Sequence, residues 1–349
     1  MLSSLTWQEP IAVTQRPEAL IVMAPETYRQ LFDDARRERL ARLARAGTPL
    51  WATELRSAAV RERLAEVEVL ITGWGCPPLT AEVLAGAPRL RAVFHAAGTV
   101  KEHITGACWE RGLVVTSAAR ANAIPVAEYT LAAILMAGKR AHRFAAAYRR
   151  SPGTWEPWRD AVPDPSNYRR TVGVVGLSNV GRRVAALLRP FDVTVLGADP
   201  HASAAGAAAL GVSLVDLDTL LRRSDTVTLH APQLPETRHL LDRRRLALLR
   251  DGAVVINTAR GGLVDTAALT EECAAGRLDA VLDVTDPEPL PAGSPLYTLP
   301  NVVLTPHIAG ALGSETYRLA DAALDELACF AEGRAPLHAV DGADLPKIA

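Results

Sequence analysis

The sequence predicts an α/β protein of two domains, each a parallel β-sheet with helices on both faces. Three observations predict it. Short β-type runs alternate with longer helical patterns through the first third of the chain, and again, more strongly, from Thr171. The chain has 349 residues, and at about 150 residues per domain that length suggests two. Hydrophobic residues make up 49% and aromatics only 5%. The cores are therefore built mainly from Ala, Val, Leu and Ile, the residues wanted by parallel strands buried on both faces.

The elements follow in order. Strands are expected over residues 19–24, 67–72, 90–95 and 113–117, and helices over 28–46, 54–65 and 80–85. In the first two helices, Arg-rich faces alternate with Leu and Ala at helical spacing. A long helix over 123–150 is apolar around much of its circumference, as helices buried between layers or domains are. Residues 151–167 carry Pro152, Pro157, Pro163 and Pro165 with Trp155 and Trp158, which reads as a loop and a candidate domain connection. Strands resume at 171–175, 193–198, 226–230, 253–257, 280–284 and 302–305. Helices fit between most of them, except for the Pro-rich loop 285–300, and a helix over 314–332 follows the last strand.

Charge and cysteine usage exclude several function classes. Lys plus Arg is 38 and Asp plus Glu is 39, a net charge of −1. That balance argues against nucleic acid held by an overall field, and 22% charged residues with this apolar content argue against disorder. Cys76, Cys108, Cys273 and Cys329 form no CxxC pair, so free thiols in a reducing compartment are expected, with no metal. The start, MLSSLTWQEP, lacks a basic region followed by an apolar run, and the longest apolar stretch, 131–137, is short for a bilayer span. A soluble cytoplasmic protein without a membrane partner is expected.

The most informative local feature is TVGVVGLSNVGRRVAALL from Thr171. A β-run leads into Gly176, Leu177, Ser178, Asn179, Val180 and Gly181, and a helix follows. The first glycine permits the tight turn and the last lets helix and sheet pack closely. The helix N-terminus then offers free N–H groups and partial positive charge to a pyrophosphate. Ser178 stands where a middle glycine is usual. Its Cβ crowds the ligand, or its hydroxyl donates to a phosphate oxygen. Asp199 ends the next strand, 23 residues after Gly176, where an acidic side chain accepts from ribose hydroxyls. A carboxylate there repels a 2′-phosphate and favours NAD over NADP.

Three further segments carry chemistry. In VVINTARGGLVD a strand ends in a turn presenting Arg260, placed and shaped for bidentate binding of a carboxylate. LDAVLDVTDPEPLP holds Asp283, Asp286 and Glu288 at and beyond the end of another strand. In NVVLTPHIAG, His307 follows a strand and precedes a small-residue turn. A carboxylate beside a histidine orients the ring and favours the imidazolium, so that the ring can deliver a proton near neutral pH.

Arg260, Glu288 and His307, with the dinucleotide turn, resemble the D-isomer-specific 2-hydroxyacid dehydrogenase family. The resemblance runs from about Val67 to Val340 through ANAIPVAEYTLAAIL, VTLHAPQLPETRHLL, INTARGGLVD, DVTDPEPLP and LTPHIAG. It implies two Rossmann-like or flavodoxin-like domains. An NAD-binding domain, 122–310, is inserted into a discontinuous substrate domain, 1–121 plus 311–349, with crossings at 118–123 and 309–313. Closure about those crossings would bring Arg260 and His307 against the substrate. It also places the loop 151–167 inside the inserted domain.

The resemblance implies roles as well. His307 would be the acid/base, Glu288 its partner, and Arg260 the group that binds the substrate carboxylate and polarises the carbonyl. Asp283 matches a position that can contact the nicotinamide carboxamide. His230, Pro232, Thr258 and Ala259 match cofactor-side positions, for which packing and direct contact both remain open. A homodimer through the NAD-binding domains is implied, fitted by the long apolar helix.

The substrate loops depart most from the family. HAAGTVKEHI leaves Gly98 and Thr99 as backbone donors, with Lys101 near where an acidic residue is common. In ITGWGCPPLT, Trp74 is either an apolar wall for a larger 2-oxo acid or a packed aromatic. The expected function is NAD-dependent hydride transfer between a 2-oxo acid and a D-2-hydroxy acid. The alternative is a non-catalytic NAD(H)-binding sensor or corepressor on the same fold. No feature of the sequence points to a formate or phosphite dehydrogenase.

Overall fold

The computed structural model describes residues 16–150, 153 and 165–347. Trp155 and Trp158 of the expected 151–167 loop lie outside the described residues, as does the start of the chain read for a signal peptide.

Two all-parallel sheets carry the fold. The first contains β1 (Glu18–Val22), β2 (Arg45–Ala52), β3 (Val69–Thr72), β4 (Ala92–His95) and β5 (Val114–Ser117), in the order β2-β1-β3-β4-β5. The second contains β6 (Arg170–Val175), β7 (Val193–Ala198), β8 (Val212–Leu214), β9 (Thr226–Leu229), β10 (Val254–Asn257), β11 (Asp279–Leu282) and β12 (Val302–Leu304). Its order is β12-β11-β10-β9-β6-β7-β8. The chain divides into two compact units, Met1–Asn122 with Ala311–Ile348 and Ala123–Gly310.

The first unit is built on strand alternation. Ala19 and Ile21 of β1 face a core with Leu31, Phe32, Phe94 and, from the last long helix, Leu319, Leu324 and Leu327. Leu20 and Val22 face the opposite core with Leu64, Leu84 and Val93. Successive side chains of a strand point to opposite faces, so EALIV is apolar on both because both faces are covered. In the second unit, Val172 and Val174 of β6 pack in one core with Ile134 and Val254, while Val175 packs in the other with Leu220 and Leu229.

Several sequence expectations need correction. The helix over 28–46 is two helices, α1 (Pro25–Leu31) and α2 (Asp34–Leu43). Asp33 breaks it by capping the second, its Oδ1 accepting the Arg36 N–H at 3.0 Å. The end of that segment turns into β2, whose half-exposed RAGTPLWA has no apolar run to announce an edge strand. The helix expected over 54–65 begins only at Ala58, as α3 (Ala58–Leu64). The third helix-like run, 80–85, forms α4 (Ala81–Ala85), and α5 (Gly106–Glu110) follows β4.

The long helix also divides, into α6 (Ala119–Gly138) and α7 (Ala141–Arg150), where Arg140 takes a left-handed φ of 52°. The polar segment expected as a crossing is therefore the first turn of α6. By length and composition α6 passes for a membrane span, although its longest apolar run, 131–137, is short for one. Its buried face, Ala127, Thr130, Ala133, Ile134 and Ala137, is that of a core helix. Ala127, Ala133, Ile134 and Ala137 of that face pack into the same core as Val172, Val174 and Ile256 of the second sheet.

Candidate active site

The site assembles at the carboxyl ends of the strands of the second unit, where open α/β sheets bind ligands. Gly176 leaves β6 with φ +89°, and a Cβ there would lie 2.7–2.9 Å from the backbone of His230 and Ala231. A Cβ on Gly181 would lie 1.9 Å from the Gly176 carbonyl oxygen. Both positions therefore demand glycine. Helix α8 (Asn179–Leu188) starts here, so Asn179 and Val180 supply the unpaired N–H groups of a helix N-terminus.

The Ser178 hydroxyl donates to the His230 carbonyl at 3.2 Å, so it braces the turn against the next loop. Asp199 sits beside the same turn, Oδ2 accepting the Leu177 N–H at 2.6 Å and Oδ1 the His201 N–H at 2.8 Å. His230 is buried, with Nε2 bonded to the Thr228 hydroxyl at 3.0 Å. Its Nδ1 is buried without a protein partner. Burial pushes this imidazole down to about 3, so the ring is neutral near pH 7. A cradle with no room for a Cβ, beside an orphaned ring nitrogen, fits a dinucleotide. Pro232 is occupied structurally, its carbonyl accepting the Thr237 hydroxyl at 2.6 Å.

Arg260 follows β10. Asn257, 1% exposed, fixes its turn: Nδ2 donates to the Arg260 carbonyl at 2.8 Å and Oδ1 accepts the Ala259 N–H at 3.1 Å. The Thr258 hydroxyl bonds that of Thr130 on α6 at 2.9 Å. A Cβ on Gly261 would lie 1.9 Å from the Thr285 carbonyl oxygen, so the Arg260 turn presses directly on the loop that carries Glu288.

Glu288 and His307 meet. Nδ1 of His307 lies 2.8 Å from Oε1 of Glu288, and their side chains are 53% and 42% exposed. His307 has a left-handed φ of 55°. Its N–H is shared between the carbonyls of Asp283, at 2.9 Å, and Thr305, at 3.0 Å. Asp283 is buried and holds this turn rather than projecting from it. Oδ1 accepts the Thr305 hydroxyl at 2.7 Å and the Ile308 N–H at 2.8 Å, and Oδ2 accepts the Ala309 N–H at 2.8 Å.

The first unit presents its own loops. Trp74 is 41% exposed, so within its unit it is not a core aromatic. The loop beneath it is pinned, with Gly75 at φ +81° against Ala24 and the Trp74 carbonyl accepting the Ala24 N–H at 2.9 Å. Gly98 lies beside Asn122, whose Oδ1 accepts the Ala311 N–H at 2.9 Å, and the Thr99 hydroxyl accepts the Lys101 N–H at 3.4 Å. Behind these loops is a buried group. The Thr72 hydroxyl lies 2.9 Å from His95 Nδ1 and 3.2 Å from His103 Nε2.

A sequence model described as "D-isomer specific 2-hydroxyacid dehydrogenase, NAD binding domain" matches residues 131–309, more than half of the chain. The glyoxylate reductase of Thermofilum pendens is 36% identical over 263 residues, covering 74% of this chain and 77% of that protein. The chain belongs to the D-isomer-specific 2-hydroxyacid dehydrogenase family. The D-3-phosphoglycerate dehydrogenase of Methanocaldococcus jannaschii is 35% identical over 258 residues, 73% of this chain and 48% of that protein. The chain spans about half the length of that relative. The solved D-lactate dehydrogenase from Aquifex aeolicus, complexed with NAD and lactic acid, superposes with a TM-score of 0.68 at 26% identity. That likeness covers 90% of this chain and 96% of the other.

Set in this family, the residues that sequence reasoning missed are supporting ones. Tyr129, Thr130, Asn257 and Thr305 tie the turns of Arg260 and His307 to α6 and to one another. The available signal was the polar run Glu128, Tyr129 and Thr130 inside the apolar part of the helix.

Proposed function

We propose that the protein is an NAD-dependent oxidoreductase that interconverts a 2-oxo acid and a D-2-hydroxy acid. The observation that carries this reading is the 2.8 Å His307–Glu288 pair, held beside the Arg260 turn in the unit that matches the family's NAD binding domain. Bound NAD supplies or accepts a hydride at nicotinamide C4.

The chain's own residues do the rest. Gly176, Gly181 and the N–H groups of Asn179 and Val180 hold the pyrophosphate. Asp199 accepts from the ribose hydroxyls. His230, Pro232, Thr258, Ala259 and Asp283 shape the nicotinamide side. Arg260 grips the substrate carboxylate and polarises the carbonyl. Glu288 occupies His307 Nδ1, leaving Nε2 to deliver a proton to the carbonyl oxygen in reduction and to take it back in oxidation. Trp74, Gly98 and Thr99 are the substrate residues of the first unit, which we read as the substrate domain. Trp74 supports an acid with a larger apolar side chain.

Helix α7 buries none of its residues, and Met136, Tyr148 and Tyr168 are exposed. Both observations support a homodimer through the NAD-binding units. The four free thiols support a cytoplasmic location.

The test is NADH oxidation with a panel of 2-oxo acids. Turnover on at least one acid is expected, with NAD preferred to NADP. NADH binding without turnover on any acid would favour the sensor reading.

A further inference from the structure

Tyr129 has no place in the chemistry above, yet its hydroxyl ends a chain that leads to His307. It lies 2.8 Å from the Thr305 hydroxyl, which donates to Asp283 Oδ1 at 2.7 Å. A threonine hydroxyl has one hydrogen. With that hydrogen given to Asp283, Tyr129 must be the donor to Thr305. Burial raises the Tyr129 hydroxyl above its ordinary range, which keeps its proton in place.

The relay runs Tyr129 to Thr305 to Asp283, and Asp283 then takes the N–H groups of Ile308 and Ala309 and, at its carbonyl, of His307. These bonds enclose the one residue of the turn with a positive φ, His307 itself. A non-glycine residue holds that backbone only when its surroundings impose it. That backbone sets the direction in which the ring leaves the chain and so its 2.8 Å approach to Glu288. The neighbouring residue on α6, Thr130, makes the matching bond to Thr258, two residues before Arg260.

The geometry points to Tyr129 and Thr305 as positioning residues that fix the His307 turn, and with it the aim of the imidazole, through Asp283. This rests on the reading of His307 as the proton carrier.

The test uses Thr305→Val, Thr305→Ser, Tyr129→Phe and the Tyr129→Phe/Thr305→Val pair. Steady-state kinetics run with NADH and a 2-oxo acid that the wild type reduces. Thr305→Val should lower kcat about tenfold or more, with KM and NADH affinity nearly unchanged, and Thr305→Ser should restore most of the rate. Tyr129→Phe should lower kcat by about threefold to tenfold and add nothing further in the Thr305→Val background. Unchanged kcat in both single variants, or additive losses in the pair, would overturn the relay.

A second readout separates this inference from the functional reading: the imidazole ¹⁵N spectrum of His307, assigned against His307→Ala. The neutral ring should carry its proton on Nδ1 in the wild type and show a mixture of tautomers in Thr305→Val. An unchanged spectrum would overturn the relay even in a protein that reduces no 2-oxo acid.

Discussion

Both sheets of this protein carry histidines at the carboxyl ends of parallel strands, and they use them in opposite ways. In the first unit, His95 and His103 are 3% exposed, with ring centroids 4.3 Å apart and ring planes tilted by 38°, and both are bonded to the Thr72 hydroxyl. Burial drives His95 well below its ordinary range, with the neighbouring His103 adding to the effect, and takes His103 to about 4. In the second unit, His307 stands half-exposed with Glu288 on Nδ1. Place in the fold is therefore not what makes a histidine chemical. A carboxylate partner and access to a ligand make it so, whereas hydroxyl partners and burial make it a neutral structural clasp. Within the second unit, His230 is likewise buried, neutral and bonded to Thr228 through Nε2, but its Nδ1 has no protein partner.

The contrast can be broken by mutation. The largest of these effects is expected for Arg260→Ala, which should lower kcat/KM for the 2-oxo acid by about 10²–10³-fold, chiefly through KM. Saturation kinetics would check it, and an unchanged KM would remove Arg260 from carboxylate binding. Glu288→Gln replaces a charge-assisted bond with a neutral one and should cost about 10- to 100-fold in kcat. Because NADH affinity should stay constant, a fluorescence titration run alongside separates loss of chemistry from loss of cofactor.

Acid sharpens the same contrast. The folded His95, His103 and His230 resist protonation, while unfolded histidines titrate near pH 6.5. Below about pH 6.5 the unfolded chain takes up protons that the fold refuses. Stability is thus full above that pH and falls as pH drops towards 4, by about 1.4 kcal/mol per pH unit for each such histidine. Urea unfolding at pH 7 and pH 5 should show the loss, and His103→Asn should shrink it. An equal loss in that variant would mean that His103 is not part of the clasp. The smallest effect concerns cofactor choice. Asp199→Ala should move the NAD-to-NADP preference by about tenfold, equivalent to about 1.4 kcal/mol of repulsion removed, as read from the two kcat/KM values.

Much of this was legible in the sequence where one residue type answers one physical demand. Gly176 and Gly181 are where no side chain fits, and buried strands such as VVIN and DAVL read as apolar runs. His307, Glu288 and Arg260 stood out because polar groups at strand ends are conspicuous after apolar runs. The edge strands β2 and β8 did not, because RAGTPLWA and VSL carry no continuous apolar run. The break of the long helix at Arg140 was hidden for a similar reason, since it rests on a left-handed backbone angle in a residue other than glycine. The support of His307 by Asp283, Thr305 and Tyr129 was also hidden, since it joins residues 176 positions apart. Such bonds depend on register between elements, which periodicity does not encode.

The most direct test of the central claim is NADH oxidation by His307→Ala, measured beside the wild type with the same 2-oxo acid and with NADH affinity determined for both. Turnover is expected to fall by about 10²–10⁴-fold with NADH affinity nearly unchanged. Turnover close to that of the wild type would contradict the assignment of His307 as the proton carrier.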